Sequence, residues 1–306
     1  MFSLIRYKTT PVMSTMKVFL YFSVAVNFAL ATMIFLTQVR IVTNPISMAL
    51  LCDGFCKYFG PNTCFNIYNL SVFFAITSGL INLHTLYYRT MSLKYLDGKQ
   101  AVKRTIWFAV HYGVLIVFLV LTYIPPINHD FVRKETMDLH PQYNFEPYRD
   151  FGGLANANHI SNLINNMFIM FFGSLYTPII GFYWRKKSLK VLNETTSTMT
   201  SPANKVLFTV FIKGLGLQVL LPLCCYFPLG ILIFLNKISS SELLFSQYAL
   251  ELFSSLPCIF DPVIQIYFIM PYRAAIQRIL CRKYQKVVFG LQTNVNISDN
   301  QRTVAN

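Results

Sequence analysis

Residues 17–39 read KVFLYFSVAVNFALATMIFLTQV, an apolar stretch with a single charged residue at its first position. A helix of about 20 residues crosses the hydrocarbon of a bilayer, so this stretch predicts a membrane span. Helices of soluble proteins are shorter and keep a polar face. Five further stretches share these properties. The six predicted spans are 17–39, 66–87, 105–124, 160–184, 207–235 and 247–270.

These spans predict an all-α fold, a polytopic membrane helical bundle that forms one unit over residues 1–286. Hydrophobic residues make up 54% of the 306, and charged residues only 12%, about half their usual share of ~25%. The tail 287–306 is polar, and we expect it to be a disordered cytosolic segment.

The basic residues indicate how the spans are oriented. Nineteen of the 26 lysines and arginines lie before the first span, on alternate connections, or after the last span. Positively charged connections stay in the cytosol, so both termini are predicted to be cytosolic and residues 125–159 to lie outside. The net charge of +14 then faces anionic membrane lipid, and a nucleic-acid partner is not expected.

Three cysteines, Cys52, Cys56 and Cys64, share one outer connection, where disulfides can form. Their spacing permits one local disulfide and leaves one thiol. Cys56–Cys64 is favoured because Gly60 and Pro61 lie between the two and favour a turn, although spacing alone does not decide the pairing. A metal site is disfavoured because a fourth ligand is missing, and no cofactor is expected.

Two acidic residues lie on the last predicted span. Polar groups at this depth usually face the bundle interior or a cavity. Glu251 is either an interfacial residue or part of a ligand pocket. Asp261 precedes Pro262 and either satisfies backbone groups freed by the proline or serves as a hinge. Ten residues separate the two acids, so they do not share a helix face and do not indicate a paired site.

The remaining polar residues within the spans point to helix contacts. His84 and His111 have no metal-ligand companion at helical spacing, and Asn27, Asn69 and Asn82 are interpreted as hydrogen-bonded packing. Nucleophile, metal-hydrolase and phosphate-loop motifs are not found, so we do not expect an enzyme.

Several segments in matching order resemble the nematode serpentine chemoreceptors, class delta (Srd), of the Str superfamily. The loop block Cys56–Cys64 is the most specific of them, although Gly54-Phe55-Cys56 departs from the family's usual Gly-Pro-Cys. The others are Thr37–Val42, Tyr87-Tyr88-Arg89, Asp261-Pro262 and Pro271-Tyr272-Arg273.

Such receptors are similar to seven-helix G-protein-coupled receptors, whereas six spans are visible in this chain. Leu4–Pro11 resembles the connection that normally follows the first helix, so we expect a seven-helix receptor that lacks helix one. A truncated gene model, a degenerate gene or a shortened receptor would each produce this pattern.

The resemblance implies a chemosensory receptor in the plasma membrane of sensory cells, binding a small molecule from outside and signalling to a heterotrimeric G protein. It makes Tyr88, Arg89, Asp261, Pro262, Tyr272 and Arg273 inner-face switch candidates and Cys56 and Cys64 structural. Both arginines could instead be interface anchors. The alternatives are a small-solute transporter or channel, or a nonfunctional truncated receptor. Ligand-binding residues are not predicted.

Overall fold

A computed structural model describes residues 1–9, 16–94, 98–148, 150–195, 202–239 and 244–279. Within these ranges the fold is dominated by helices, with a small three-stranded sheet at one end of the bundle. The helices are α1 Phe2–Lys8, α2 Lys17–Thr37, α3 Pro61–Lys94, α4 Gly98–Leu121, α5 His129–Leu139, α6 Ile160–Ile169, α7 Thr177–Thr195, α8 Pro202–Gln218, α9 Leu221–Ser239 and α10 Leu244–Phe268.

The prediction of six spans is confirmed, because the described part of the chain contains six helical stretches that are long and apolar enough to cross a membrane. Two of these stretches are not single continuous α-helices. A π-helical segment, Met170–Tyr176, joins α6 to α7, and the stretch predicted as 207–235 is divided between α8 and α9. The predicted tail 287–306 lies outside the described residues.

The sequence did not predict the sheet. Strand β1, Val39–Thr43, pairs antiparallel with β2, Met48–Cys52, which pairs antiparallel with β3, Gly152–Leu154. Gln38 has a left-handed backbone (φ 43°), which ends α2 and redirects the chain into β1. Only Val39 of β1 lies within the predicted span 17–39, and the rest of the strand falls in the connection that follows it.

The two ends of the bundle differ in character. The sheet, α5 and the loops between them form what we call the sheet end. The opposite end, which we call the basic end, carries Arg6, Arg104, Lys187 and Arg273. Its buried apolar cluster includes Ile5 of α1, so this short helix packs against the bundle at the basic end and is not one of the six spans.

Candidate functional site

Asp261 of α10 is buried at the centre of a polar network. Its carboxylate accepts hydrogen bonds from amide nitrogens of three other helices: Asn27 Nδ2 of α2 at 2.8 Å, Gln218 Nε2 of α8 at 2.9 Å and Asn82 Nδ2 of α3 at 3.2 Å. The side chain is only 1% exposed. Four helices therefore meet at one carboxylate.

Hydroxyl groups and a second glutamine extend this network. Ser23 Oγ donates to Asp261 at 3.3 Å, and Gln265 Nε2 donates to Ser23 Oγ at 3.1 Å. Ser78 Oγ donates to Asn27 Oδ1 at 2.7 Å. We call this set the Asp261 cluster; its members are Ser23, Asn27, Ser78, Asn82, Gln218, Asp261 and Gln265.

The Asp261 cluster connects four helices beside a proline in α10. Pro262 directly follows Asp261 and lies inside α10, where proline removes a helical hydrogen bond. The donors are neutral amides and hydroxyls, so each contact can be exchanged without separating opposite charges. From sequence, Asn27 and Asn82 were interpreted only as helix contacts, and no pattern indicated that they share an acceptor.

The other switch candidates lie near the basic end but do not converge on one point. The buried Arg89 guanidinium lies 3.5 Å from the ring centre of Phe208 in α8, and Arg104 lies over the Tyr88 ring at 4.8 Å. The buried Tyr272 hydroxyl shares a hydrogen bond with Thr9 Oγ1 at 2.7 Å. Arg273 is exposed and lies near the Tyr267 ring.

The structure brings His84 and His111 together, which their sequence positions did not indicate. Their ring centres are 5.2 Å apart. His84 Nδ1 pairs with the Tyr112 hydroxyl at 3.2 Å, and His111 Nε2 with the Tyr176 hydroxyl at 2.7 Å. Each imidazole thus has a tyrosine hydroxyl as a hydrogen-bond partner within the bundle. Buried polar side chains at helix contacts are normally paired in this way.

In the sheet end, Cys56 and Cys64 form a disulfide that ties the 3₁₀ turn Phe55–Phe59 to the start of α3. Cys52 of β2 remains a buried thiol beside it, and burial raises the pKa of this thiol to about 12. Two of the three clustered sulfur atoms are joined to each other, so they are not free to act as thiolate metal ligands.

Glu251 is half-buried and lies apart from the Asp261 cluster. It accepts a hydrogen bond from the backbone of Val39, at the junction of α2 and β1. It also lines a groove between α2 and α10 together with Phe35, Gln38 and Cys258. The two acids of α10 therefore face different surroundings, as their spacing predicted.

A cleft lies beneath the sheet, between α3, α4 and α6; it is partly open to solvent and has a cavity volume of about 60 Å³. Met48 and Leu154 of the sheet cover one side of it. Its walls are largely apolar, with asparagines from α3 and α6 among them. An apolar cleft with a few convergent polar groups is the usual form of a small-molecule site. No sequence pattern indicated this cleft, because its walls come from distant segments, and Asn69 was interpreted only as a helix contact.

A bundle of six apolar helices with polar groups held in its interior defines an integral, multi-pass membrane protein. The family model of the serpentine type 7TM GPCR chemoreceptor Srd matches residues 1–278. The chain belongs to this Srd family, which confirms the resemblance seen in the sequence.

Relatives of the same class match over most of the chain. Serpentine receptor class delta-63 of Caenorhabditis elegans is 42% identical over 274 residues, covering 89% of this chain and 84% of the relative. Serpentine receptor class delta-59 of C. elegans is 29% identical, covering 95% and 88% of the two chains. No solved structure matches this chain.

Proposed function

We propose that this protein is a chemosensory receptor that binds a small molecule from outside the cell and signals to a heterotrimeric G protein. Membership in a chemoreceptor family supports the general role. The Asp261 cluster is the observation that supports the signalling step. It connects α2, α3 and α8 to α10 by hydrogen bonds, next to a proline at which α10 can bend.

The orientation belongs to this proposal. We place the sheet end outside and the basic end in the cytosol of a sensory cell, since basic segments are retained on the cytosolic side. The Cys56–Cys64 disulfide then lies in an oxidising compartment. The cleft beneath the sheet lies near the outer surface, where it is accessible to an external ligand.

Signalling requires two helix packings that the ligand binds with different affinity. We propose that the Asp261 cluster stabilises the resting packing, since donors from α2, α3 and α8 share one acceptor. Rearrangement of α10 about Pro262 would shift Tyr272 and Arg273, which follow the end of α10 on the proposed cytosolic side. It would also change the contact between α8, which carries Phe208, and Arg89 of α3. The exposed basic end would then contact the G protein.

The test is guanine-nucleotide exchange on a panel of heterotrimeric G proteins, with the full chain reconstituted in lipid vesicles. We expect the chain to accelerate exchange on at least one heterotrimer. Asp261→Asn should raise this ligand-free exchange several-fold and weaken the resting packing. The asparagine has one acceptor oxygen fewer, and its own NH₂ group would face the donors of Asn27, Asn82 and Gln218. Asp53→Asn changes an acid that is 56% exposed at the sheet end and should leave exchange unaltered.

Two outcomes would contradict the proposal. If no heterotrimer responds and the same vesicles pass ions or small solutes, the chain is a transporter or channel. If neither activity is found and the chain stays in the endoplasmic reticulum of expressing cells, it is a nonfunctional receptor.

A further inference from the structure

The cleft between α3, α4 and α6 contains a hydrogen-bond acceptor that the protein leaves unused. Asn162 of α6 is 2% exposed, and its Nδ2 donates to the backbone oxygen of Asn156 at 2.7 Å. This bond sets the orientation of the amide. Its Oδ1 is buried and has no hydrogen-bond partner among the described residues.

A second wall of the cleft, formed by α3, contains an unused donor. Asn69 of α3 is 6% exposed, and its Nδ2 is buried without a hydrogen-bond partner in the described part of the chain. Both asparagines line the cleft. Buried polar groups are normally paired, so an unpaired donor and an unpaired acceptor that line the same cleft indicate a ligand that pairs with both.

The remaining walls restrict the body of that ligand. Phe73, Phe118 and Phe168 line the cleft with aliphatic side chains, and the Phe118 and Phe168 rings stack with their centres 3.4 Å apart. Among the described residues, those that line the cleft include no lysine, arginine, aspartate or glutamate. A charged ligand would lose its hydration without gaining a counter-charge.

We propose that this cleft binds an uncharged small molecule with a planar apolar body and a carboxamide-like head. A carbonyl oxygen of the head accepts from Asn69 Nδ2, and an N–H of the head donates to Asn162 Oδ1. The apolar body packs against the phenylalanines. This ligand class rests on the proposed receptor function, and it specifies the chemistry that the receptor recognises.

The test uses three probes of similar size with the purified full chain in lipid nanodiscs. Benzamide has both the acceptor and the donor, acetophenone has only the acceptor, and benzoate is charged. Binding is measured by saturation-transfer NMR, with empty nanodiscs as the blank. We expect benzamide to bind, acetophenone to bind about tenfold more weakly for the lost hydrogen bond, and benzoate to give no signal.

Variants assign the binding to the cleft. Asn162→Leu should remove the preference for benzamide over acetophenone, and Asn69→Leu should weaken both. Asn69→Asp keeps the shape of the side chain but lacks the donor, so it should also weaken benzamide if the leucine variant fails to fold. Asn193→Leu changes an exposed asparagine near the end of α7 and should bind as the wild type does.

Three results would overturn the inference: benzamide fails to bind, benzoate binds equally well, or both cleft variants retain the wild-type preference. Nucleotide exchange separates this failure from failure of the receptor function. Benzamide binding that depends on both asparagines, without any effect on a G protein, would support the site and contradict the signalling. G-protein signalling that is unchanged in both asparagine variants would support the receptor function and contradict this ligand site.

Discussion

His129, the first residue of α5, connects three parts of the sheet end. Its Nδ1 accepts a hydrogen bond from the backbone N–H of Gly153 in β3 at 3.2 Å, and its Nε2 donates to Asn62 Oδ1 of α3 at 2.8 Å. This pattern requires the neutral imidazole, because a protonated Nδ1 cannot accept. Burial lowers the pKa of His129 from its ordinary value of 6.5, although nearby Asp130 opposes the shift.

A lowered pKa predicts that the sheet end loses stability in acid. The unfolded chain takes up the proton near pH 6.5 while the folded chain resists it, so stability is full above this pH and falls below it. His129→Gln should remove this part of the pH dependence. Thermal unfolding of the purified protein between pH 5 and 8 measures it, and an equal dependence in both proteins would refute the role of His129.

At the scale of elements, the close approach of α7 and α8 depends on glycine. A Cβ atom at Gly181 of α7 would lie 2.1 Å from Val219 Cγ1, which is closer than real contacts allow. Val219 directly follows α8 and is buried. Small residues at helix contacts are the usual device for close packing in membranes.

Gly181→Ala should therefore destabilise the protein by about 1–3 kcal/mol through overpacking. Adding Val219→Ala should restore part of this loss, because it removes the methyl groups that clash. Gly113→Ala is the matched control, since a Cβ there meets nothing within 4 Å. Chemical or thermal unfolding in detergent measures the differences. Equal effects of Gly181→Ala and Gly113→Ala would show that α7 and α8 do not pack as described.

At the scale of the whole molecule, the orientation can be tested at the two ends of the bundle. We expect a tag at Met1 to be protected from protease and antibody in intact cells. Asn193 begins an Asn-Glu-Thr glycosylation signal at the end of α7 and is exposed, and it should carry no glycan because the proposed orientation places it on the cytosolic side.

Other outcomes of that measurement are equally informative. An exposed tag with unmodified Asn193 would mean that the chain crosses the membrane once more near its start. A glycosylated Asn193 would reverse the orientation and place the basic end outside, which contradicts the proposed G-protein contact.

Much of the fold could be predicted because a bilayer requires long apolar helices. The length and hydrophobicity of each helix can be read from its own segment of the sequence. The number of spans, the integral membrane character and the family followed from span length and motif order. The strands were missed, because β1 and β2 have only five residues each and β3 has three, and β3 lies far along the chain from its pairing partner β2.

The candidate sites depended on contacts that no single segment displays. The sequence by itself placed Asp261 beside Pro262 in the last span and predicted that it satisfies backbone groups freed by the proline or serves as a hinge. Only the tertiary structure decided that donors from α2, α3 and α8 satisfy it, and that Asn69 and Asn162 line one cleft. The reason is physical: span length and burial are local properties of a helix in lipid, whereas hydrogen-bond partners depend on how the helices pack.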